Sequence, residues 1–343
     1  MLKNIKISPS PHISKHYSTS LIMLNVLIGL VPAGVAAVWY FRGKAVMLTL
    51  VCVAACCLTE WLCNLIRGRA NSLGDFSAAI TGVILAFSVP PALPWWAAVI
   101  GSVFAIAVGK MVFGGLGANI FNPAMIGRAF LTASFGMMMT TWTVPATIDK
   151  NMPEISVANT SAITQATPLA WSKQAVKSRN MEDGSKKINV SIANNMLRDL
   201  FFGQRGGCLG ETSSIALIIG GIYLLLTGTI SFHIPLAVLS SAFVVSSIGC
   251  FVDSTAYASG VFHLTAGGML IGAFFIATDP VTSPLTKKGM WIFGIGVGGL
   301  TMLIRMVGEY PEGMMFSVLL MNSITPLIDK FCKITPAGGK PNA

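Results

Sequence analysis

Five stretches of this chain hold side chains able to do chemistry. Lys110 to Phe130 reads KMVFGGLGANIFNPAMIGRAF. Gly114, Gly115 and Gly117 let a backbone approach a ligand or a neighbouring helix closely. Asn119 and Asn122 offer the donors and acceptors that a flavin ring edge or a phosphate requires. A tight membrane turn, with Asn122 as N-cap and Pro123 in the first helical turn, accounts for the same residues. No strand precedes these glycines and no Gly-Lys-Ser/Thr follows them, which excludes dinucleotide-binding and Walker loops. Phe274 to Pro284 reads FFIATDPVTSP. Its Asp279, beside Thr278, Thr282 and Ser283, supplies oxygens for a cation or a flavin N–H, or else caps a helix at the interface.

Gly206 to Ile219 reads GGCLGETSSIALII, where Glu211, Thr212 and Ser213 open a helix and their oxygens can satisfy its free N–H groups. Glu60 lies inside a long apolar run. A carboxylate there costs about 3 kcal/mol on insertion scales, so it faces a partner or a water-filled path unless it reaches the interface. Thr164 to Leu169 reads TQATPL. A threonine hydroxyl is a weak nucleophile, and no His or Cys stands close in sequence to activate it, so any modification of Thr167 would be another enzyme's work. Asp253 joins Glu60 and Asp279 as a candidate on an ion path. The seven cysteines form no C-x-x-C, which argues against a cluster or zinc site held by this chain alone.

The elements that must position these residues are membrane spans. Only 10% of the 343 residues are charged while 53% are hydrophobic, and the mean hydropathy is +0.71. Charges so sparse cannot coat two water-facing domains. Apolar runs fall near 21–41, 45–66, 76–92, 95–113, 124–142, 211–230, 233–252, 260–278, 289–307 and 314–331, which predicts about ten transmembrane helices in an all-α polytopic protein. The first run is too long for a signal-peptide core and has no cleavage site after it. With the N-terminus cytoplasmic, eleven basic residues, from Lys3, Lys6 and Lys15 to Lys330, Lys333 and Lys340, fall on inner segments. Only Arg42, Lys44 and Arg305 fall on short outer ones. Both termini are therefore expected in the cytoplasm and the long 143–210 segment outside. The net charge of +10 follows this topology and forms no phosphate-binding face, so nucleic acid is not an expected partner; lipid is.

An internal repeat divides the chain. Trp96-x4-Gly101-x8-Lys110-Met-Val is matched by Trp291-x4-Gly296-x8-Arg305-Met-Val, and each follows an apolar helix ending in prolines. Five helices per half is odd, so the second half is expected to be inverted, with a site at the repeat interface. The expected units are 1–142, the extracytoplasmic segment 143–210, the second repeat 211–331, and a tail 332–343.

The ordered set SPSPHISKHYST, IMLNVLIGLVPA, FGGLGANIFNPAMIGRAF, TQATPL, GCLGETSS, FFIATDPVTSP and GEYPEGMMFSVLLMNSITPLID resembles the D subunits of Rnf electron-transport complexes, relatives of the B subunits of sodium-translocating NADH:quinone reductases. The resemblance runs from about Ser8 to Asp329. The short stretch before the first helix favours the Rnf branch, since the reductase subunit generally carries a longer N-terminal extension. The resemblance implies a urea-transporter-like fold of two inverted five-helix repeats. It also implies FMN joined by a phosphoester to the last threonine of an S/T-x-A-T motif, which is Thr167 here, with Thr164 and Ala166 in the motif. The family commonly has Ser-Gly-Ala-Thr, so Gln165 is a departure that could alter the loop backbone.

Further implications are a noncovalent riboflavin, to which the glycine–asparagine loop and Asp279 are assigned, and a flavin transferase acting on the outer face. Lys173 or Lys177 could neutralise the FMN phosphate. The expected partners are Rnf subunits of the A, B, C, E and G types in a bacterial or archaeal plasma membrane. The complex would pass electrons between ferredoxin and NAD+ while moving Na+ or H+. Two other readings compete: a passive inverted-repeat channel for a small solute, and a scaffold without a flavin of its own.

Overall fold

The computed structural model describes residues 18–142, 169–170, 172, 197–203, 206–253, 257–308, 310 and 312–333. Its elements there are helical throughout. Ser18 caps α1 (Thr19–Phe41) by accepting from the Leu21 N–H. The chain reverses at a single residue, Arg42, whose φ of 54° lets α2 (Gly43–Ile66) start at once. α3 (Ser77–Phe87), α4 (Trp95–Met111, its last turn π-helical) and α5 (Pro123–Ser134) complete the first half. The second half holds α6 (Ser214–Leu226), α7 (His233–Val252), α8 (Gly260–Thr265), α9 (Met269–Ile271, continued by a π turn over Gly272–Ile276), α10 (Lys287–Met306) and α11 (Met314–Phe331).

Four of these, α1, α2, α7 and α10, are long and apolar enough to cross a membrane; α3, α4 and α6 are shorter apolar helices. Their outer faces carry large apolar side chains in the open: Val35, Leu50, Leu65, Val244 and Phe251 are all more than half exposed. Such surfaces suit hydrocarbon rather than water. The interior is packed with Leu30, Leu48, Leu85, Met125, Leu131, Leu217 and Phe293, each 2% exposed or less.

The halves use matching contacts. α2 packs on α3 and α4 as α7 packs on α8 and α10, and α5 lies on α4 as α11 lies on α10. The repeated glycines sit at those last two contacts. A Cβ on Gly101 would fall 2.5 Å from Leu131 of α5, and one on Gly296 would fall 2.6 Å from Met321 of α11. Across the halves, α1 meets α6 so closely that a Cβ on Gly220 would lie 2.0 Å from the Gly29 carbonyl oxygen.

Four sequence-predicted spans come out shortened or broken. The run at 124–142 breaks at Phe135, after α5, and only a short helix over Gly136–Met139 follows. The run at 76–92 stops as a helix at Phe87, before the prolines. The run at 211–230 starts as a helix only at Ser214. The run at 260–278 breaks at Ala266–Gly268, where Gly267 has φ 65°. The interrupted ends of the last three meet inside the protein. The Leu209 N–H donates to Val89 O beyond the end of α3, and Ser214 Oγ donates to Leu200 O and to Thr265 O at the end of α8. Non-helical backbone in an apolar medium persists only where such partners satisfy it.

Candidate functional site

The sequence motifs of the first half converge on one cleft. The Gly114–Asn122 turn is fixed from the end of α2: Arg67 Nη1 donates to Met111 O at 2.5 Å and Arg69 Nη1 to Gly114 O at 2.8 Å. Gly114, Gly115 and Gly117 have φ of 127°, 111° and 92°, backbone that side-chain-bearing residues rarely adopt. They shape the turn, while Leu116, Asn119 and Asn122 reach the cleft.

The cleft is partly open and its cavity volume is ≈ 60 Å³, room for the edge of a ring system rather than for a whole drug-sized ligand, whose sites run to ~300–1,000 Å³. Met23 and Val26 of α1, Ile80 and Ile84 of α3, and Phe274 and Phe275 of the α9 π turn give it apolar walls. Ser77, Thr81, Lys110, Asn119, Thr229, Thr278 and Asp279 give it polar ends. An apolar body with a few convergent polar groups is what a flat heteroaromatic ligand with a polar edge needs.

The polar groups are not equally available. Asn122 caps α5, its Oδ1 accepting from Ala124 N and Met125 N, as its spacing before Pro123 predicts. Lys110 is 1% exposed and fully committed: Nζ donates to Glu60 Oε1 (2.8 Å), Glu60 Oε2 (2.7 Å) and Ser77 Oγ (2.5 Å). Glu60, fully buried, also accepts from Ser72 Oγ at 2.5 Å. The partner that this intramembrane carboxylate calls for is therefore Lys110. Asp279 accepts from Val281 N and Thr282 Oγ1, and no ion pair holds it among the described residues. Asn119 donates to Phe121 O, but its Oδ1 is buried with no partner. A buried acceptor left unmade costs about 1–3 kcal/mol, so a donor from a ligand in the cleft would satisfy it. By that measure the residues present fit a flavin ring edge.

A second cluster forms where the interrupted helices meet. Arg128 of α5 donates through Nη2 to Glu312 Oε2 at 2.6 Å and to Cys208 Sγ at 3.6 Å, and lies 3.8 Å from Glu211 Oε1. Glu312 Oε1 accepts from the Gly268 N–H at the α8–α9 break. Arg305, the repeat counterpart of Lys110, is 5% exposed and holds the same break, donating to His263 O (2.7 Å) and Ala266 O (2.9 Å). Leu169, two residues after Thr167 in sequence, is buried with Leu200, Phe262 and Ala266, and its Cδ1 lies 2.6 Å from where a Gly267 Cβ would be.

Sequence reading missed Arg128 and Glu312. It gave Glu211, Thr212 and Ser213 together a capping role, which Ser213 performs, its side chain accepting from Ala216 N, while Glu211 joins the charge cluster instead. The stretches GRAF and GEYPEG were visible, but 184 residues separate Arg128 from Glu312 and no periodicity links them. Asp253 is the residue that ends α7, and it is not among those lining the cleft. Thr164, Ala166 and Thr167 lie outside the described residues, as do Lys173 and Lys177. All seven cysteines are free, and among the described residues only Cys208 belongs to a group of three or more ligand-type side chains close enough to share an ion.

Known proteins resemble this chain over nearly its whole length. The family model described as "NQR2, RnfD, RnfE family" matches residues 6–338. The D subunit of the Na+-translocating ferredoxin:NAD+ oxidoreductase complex of Acetobacterium woodii is 42% identical over 334 residues, covering 96% of this chain and 94% of that protein. The D subunit of the proton-translocating ferredoxin:NAD+ oxidoreductase complex of Clostridium ljungdahlii is 41% identical, covering 96% and 95%. The D subunit of the ion-translocating oxidoreductase complex of Stutzerimonas stutzeri is 38% identical, covering 94% of each chain.

Proposed function

The chain belongs to the NQR2, RnfD, RnfE family, and from that premise we propose that it is the flavin-carrying membrane subunit of an ion-translocating ferredoxin:NAD+ oxidoreductase complex. The observation that carries this reading is identity of 38–42% to D subunits of such complexes over nearly the whole of both chains. The subunit is a part of a translocase and not active alone. It works with subunits of the A, B, C, E and G types in a bacterial or archaeal plasma membrane.

In this reading Thr167 carries FMN through a phosphoester made by a flavin transferase on the outer face, and the cleft at Asn119 holds riboflavin. A flavin takes up two electrons and releases them one at a time, which joins two-electron to one-electron carriers. The chain's own residues supply the seat. Asn119 Oδ1 would accept from the ring edge, Phe274 and Phe275 would cover its face, and Thr278 and Asp279 would orient its polar end.

The fold we propose is ten spans in two inverted repeats, with units 1–142, 143–210 and 211–331, a tail from 332 and both termini cytoplasmic. The matched helix contacts, the paired glycines Gly101 and Gly296, and the paired buried cations Lys110 and Arg305 support it. Relatives named for Na+ and for protons differ by one percentage point in identity, so overall similarity does not choose the coupling ion.

The test is in-gel flavin fluorescence after SDS denaturation of wild type and Thr167→Ala, each expressed with the transferase. A fluorescent band near 36.2 kDa that vanishes in the variant is expected. No band in the wild type would remove the covalent FMN and return the chain to the channel or scaffold readings.

A further inference from the structure

The cluster at the helix junction leaves one buried acceptor without a donor, and a proton would supply one. Glu211 and Glu312 each bring a carboxylate oxygen, and Cys208 its sulfur, to within 4.8 Å of one another. Glu211 is 7% exposed at its side chain, and its Oε1 is buried without a hydrogen-bond partner. Arg128 lies beyond hydrogen-bond length from that oxygen, at 3.8 Å, because its guanidinium is spent on Glu312 at 2.6 Å. Glu312 in turn has both oxygens occupied as acceptors, by Arg128 and by the Gly268 N–H. Two buried carboxylates this close do not both ionise cheaply, and two acceptors facing each other have no bond between them unless one is protonated.

We propose that Glu211 and Glu312 form an acid–carboxylate pair sharing one exchangeable proton, a proton-holding site set in the helix junction beside Leu169 and distinct from the cleft at Asn119. The proton sits on Glu211 and is donated to Glu312, which remains the anion bonded to Arg128. When the proton leaves, Glu211 becomes a carboxylate and its new charge is met by Arg128 and by Arg305, which reaches the same glycine break as Glu312. With the proton present, the two guanidiniums exceed the carboxylates by one charge; without it they balance. The other titratable neighbours are Cys208, before Glu211, and His263 of α8, whose carbonyl Arg305 holds. Arg128 fills the position a metal ion would need between the thiol and the carboxylates, so the arrangement suits a proton better than a metal.

The inference deepens the proposed function by giving the electron carrier a proton partner, and it can fail separately from it. The test is infrared titration of the purified complex, wild type against Glu211→Gln and Glu312→Gln. Both glutamines keep the side-chain shape. The wild type should show the C=O stretch of one protonated carboxyl, shifted in D2O and lost at alkaline pH, and that band should be absent from both variants. No such band in the wild type, or a band unchanged in both variants, would overturn the proposal. Displacement of the band by Na+ but not K+ at fixed pH would make this a sodium site and overturn it equally. Should Glu211→Gln fail to assemble, Glu211→Asp should assemble and move the titration away from the wild-type pH. SDS-gel flavin fluorescence on the same samples reports on the flavin reading alone. A fluorescent chain without the titrating carboxyl would sink this inference and leave that reading standing.

Discussion

Glu60 with Lys110, and Arg128 with Glu211 and Glu312, are both buried clusters of opposite charge, yet they are finished differently. In the first, the three N–H groups of one ammonium meet three oxygens, and Glu60 takes a further bond from Ser72. In the second, Glu211 Oε1, Arg305 Nε and His263 Nδ1 are left without partners. The closed cluster ties the end of α4 to α2 and to the first residue of α3, and so holds the wall of the cleft. The open cluster lies where interrupted helices meet, and its unmet groups mark a place where charge can change. A polar network completed in this way rigidifies, whereas an incomplete one is where function is expected.

The contrast can be broken most sharply at Lys110. Lys110→Met should cost about 3–5 kcal/mol by leaving Glu60 buried and unpaired, and the double variant with Glu60→Leu should recover most of it. Thermal unfolding in detergent would check this, and a double variant no better than the single would contradict a purely structural pair. Arg128→Met should cost less, about 1–3 kcal/mol, with the deficit shrinking as pH falls. Protonating Glu312 removes the charge Arg128 had neutralised, so stability is regained on the acid side and lost as pH rises. A pH-independent deficit as large as that of Lys110→Met would erase the distinction between the clusters.

The repeat offers a smaller, symmetrical test. Gly101→Val and Gly296→Val should each cost about 1–3 kcal/mol by forcing apart α4 from α5 and α10 from α11. Strongly unequal losses in melting temperature would argue against equivalent contacts. Asn119→Ala should weaken noncovalent flavin retention by roughly tenfold, about one hydrogen bond, while leaving SDS-resistant fluorescence intact. Equal retention by equilibrium dialysis would place the flavin elsewhere.

Much of this was legible in the sequence where the signal is local. The apolar runs gave the helix positions, the Asn122–Pro123 spacing gave the α5 cap, and the Trp–Gly–Lys and Trp–Gly–Arg spacing marked Gly101 and Gly296, each at a close helix contact. The helix interruptions were only half legible. Prolines after Ser88 and glycines at 267 and 268 signal a break, but hydropathy reads straight through it. The charge clusters were not legible, because their partners are 50 and 184 residues apart and pairing at such range depends on how helices are laid against one another.

The most direct test of the central claim is an accounting of flavin on the purified complex. The complex is denatured, the chain is digested, and both the peptides and the released small molecules are analysed by mass spectrometry. The account predicts FMN on the peptide containing Thr167, and free riboflavin in the supernatant that falls in Asn119→Ala. An unmodified Thr167 peptide from complexes made with an active transferase would contradict it.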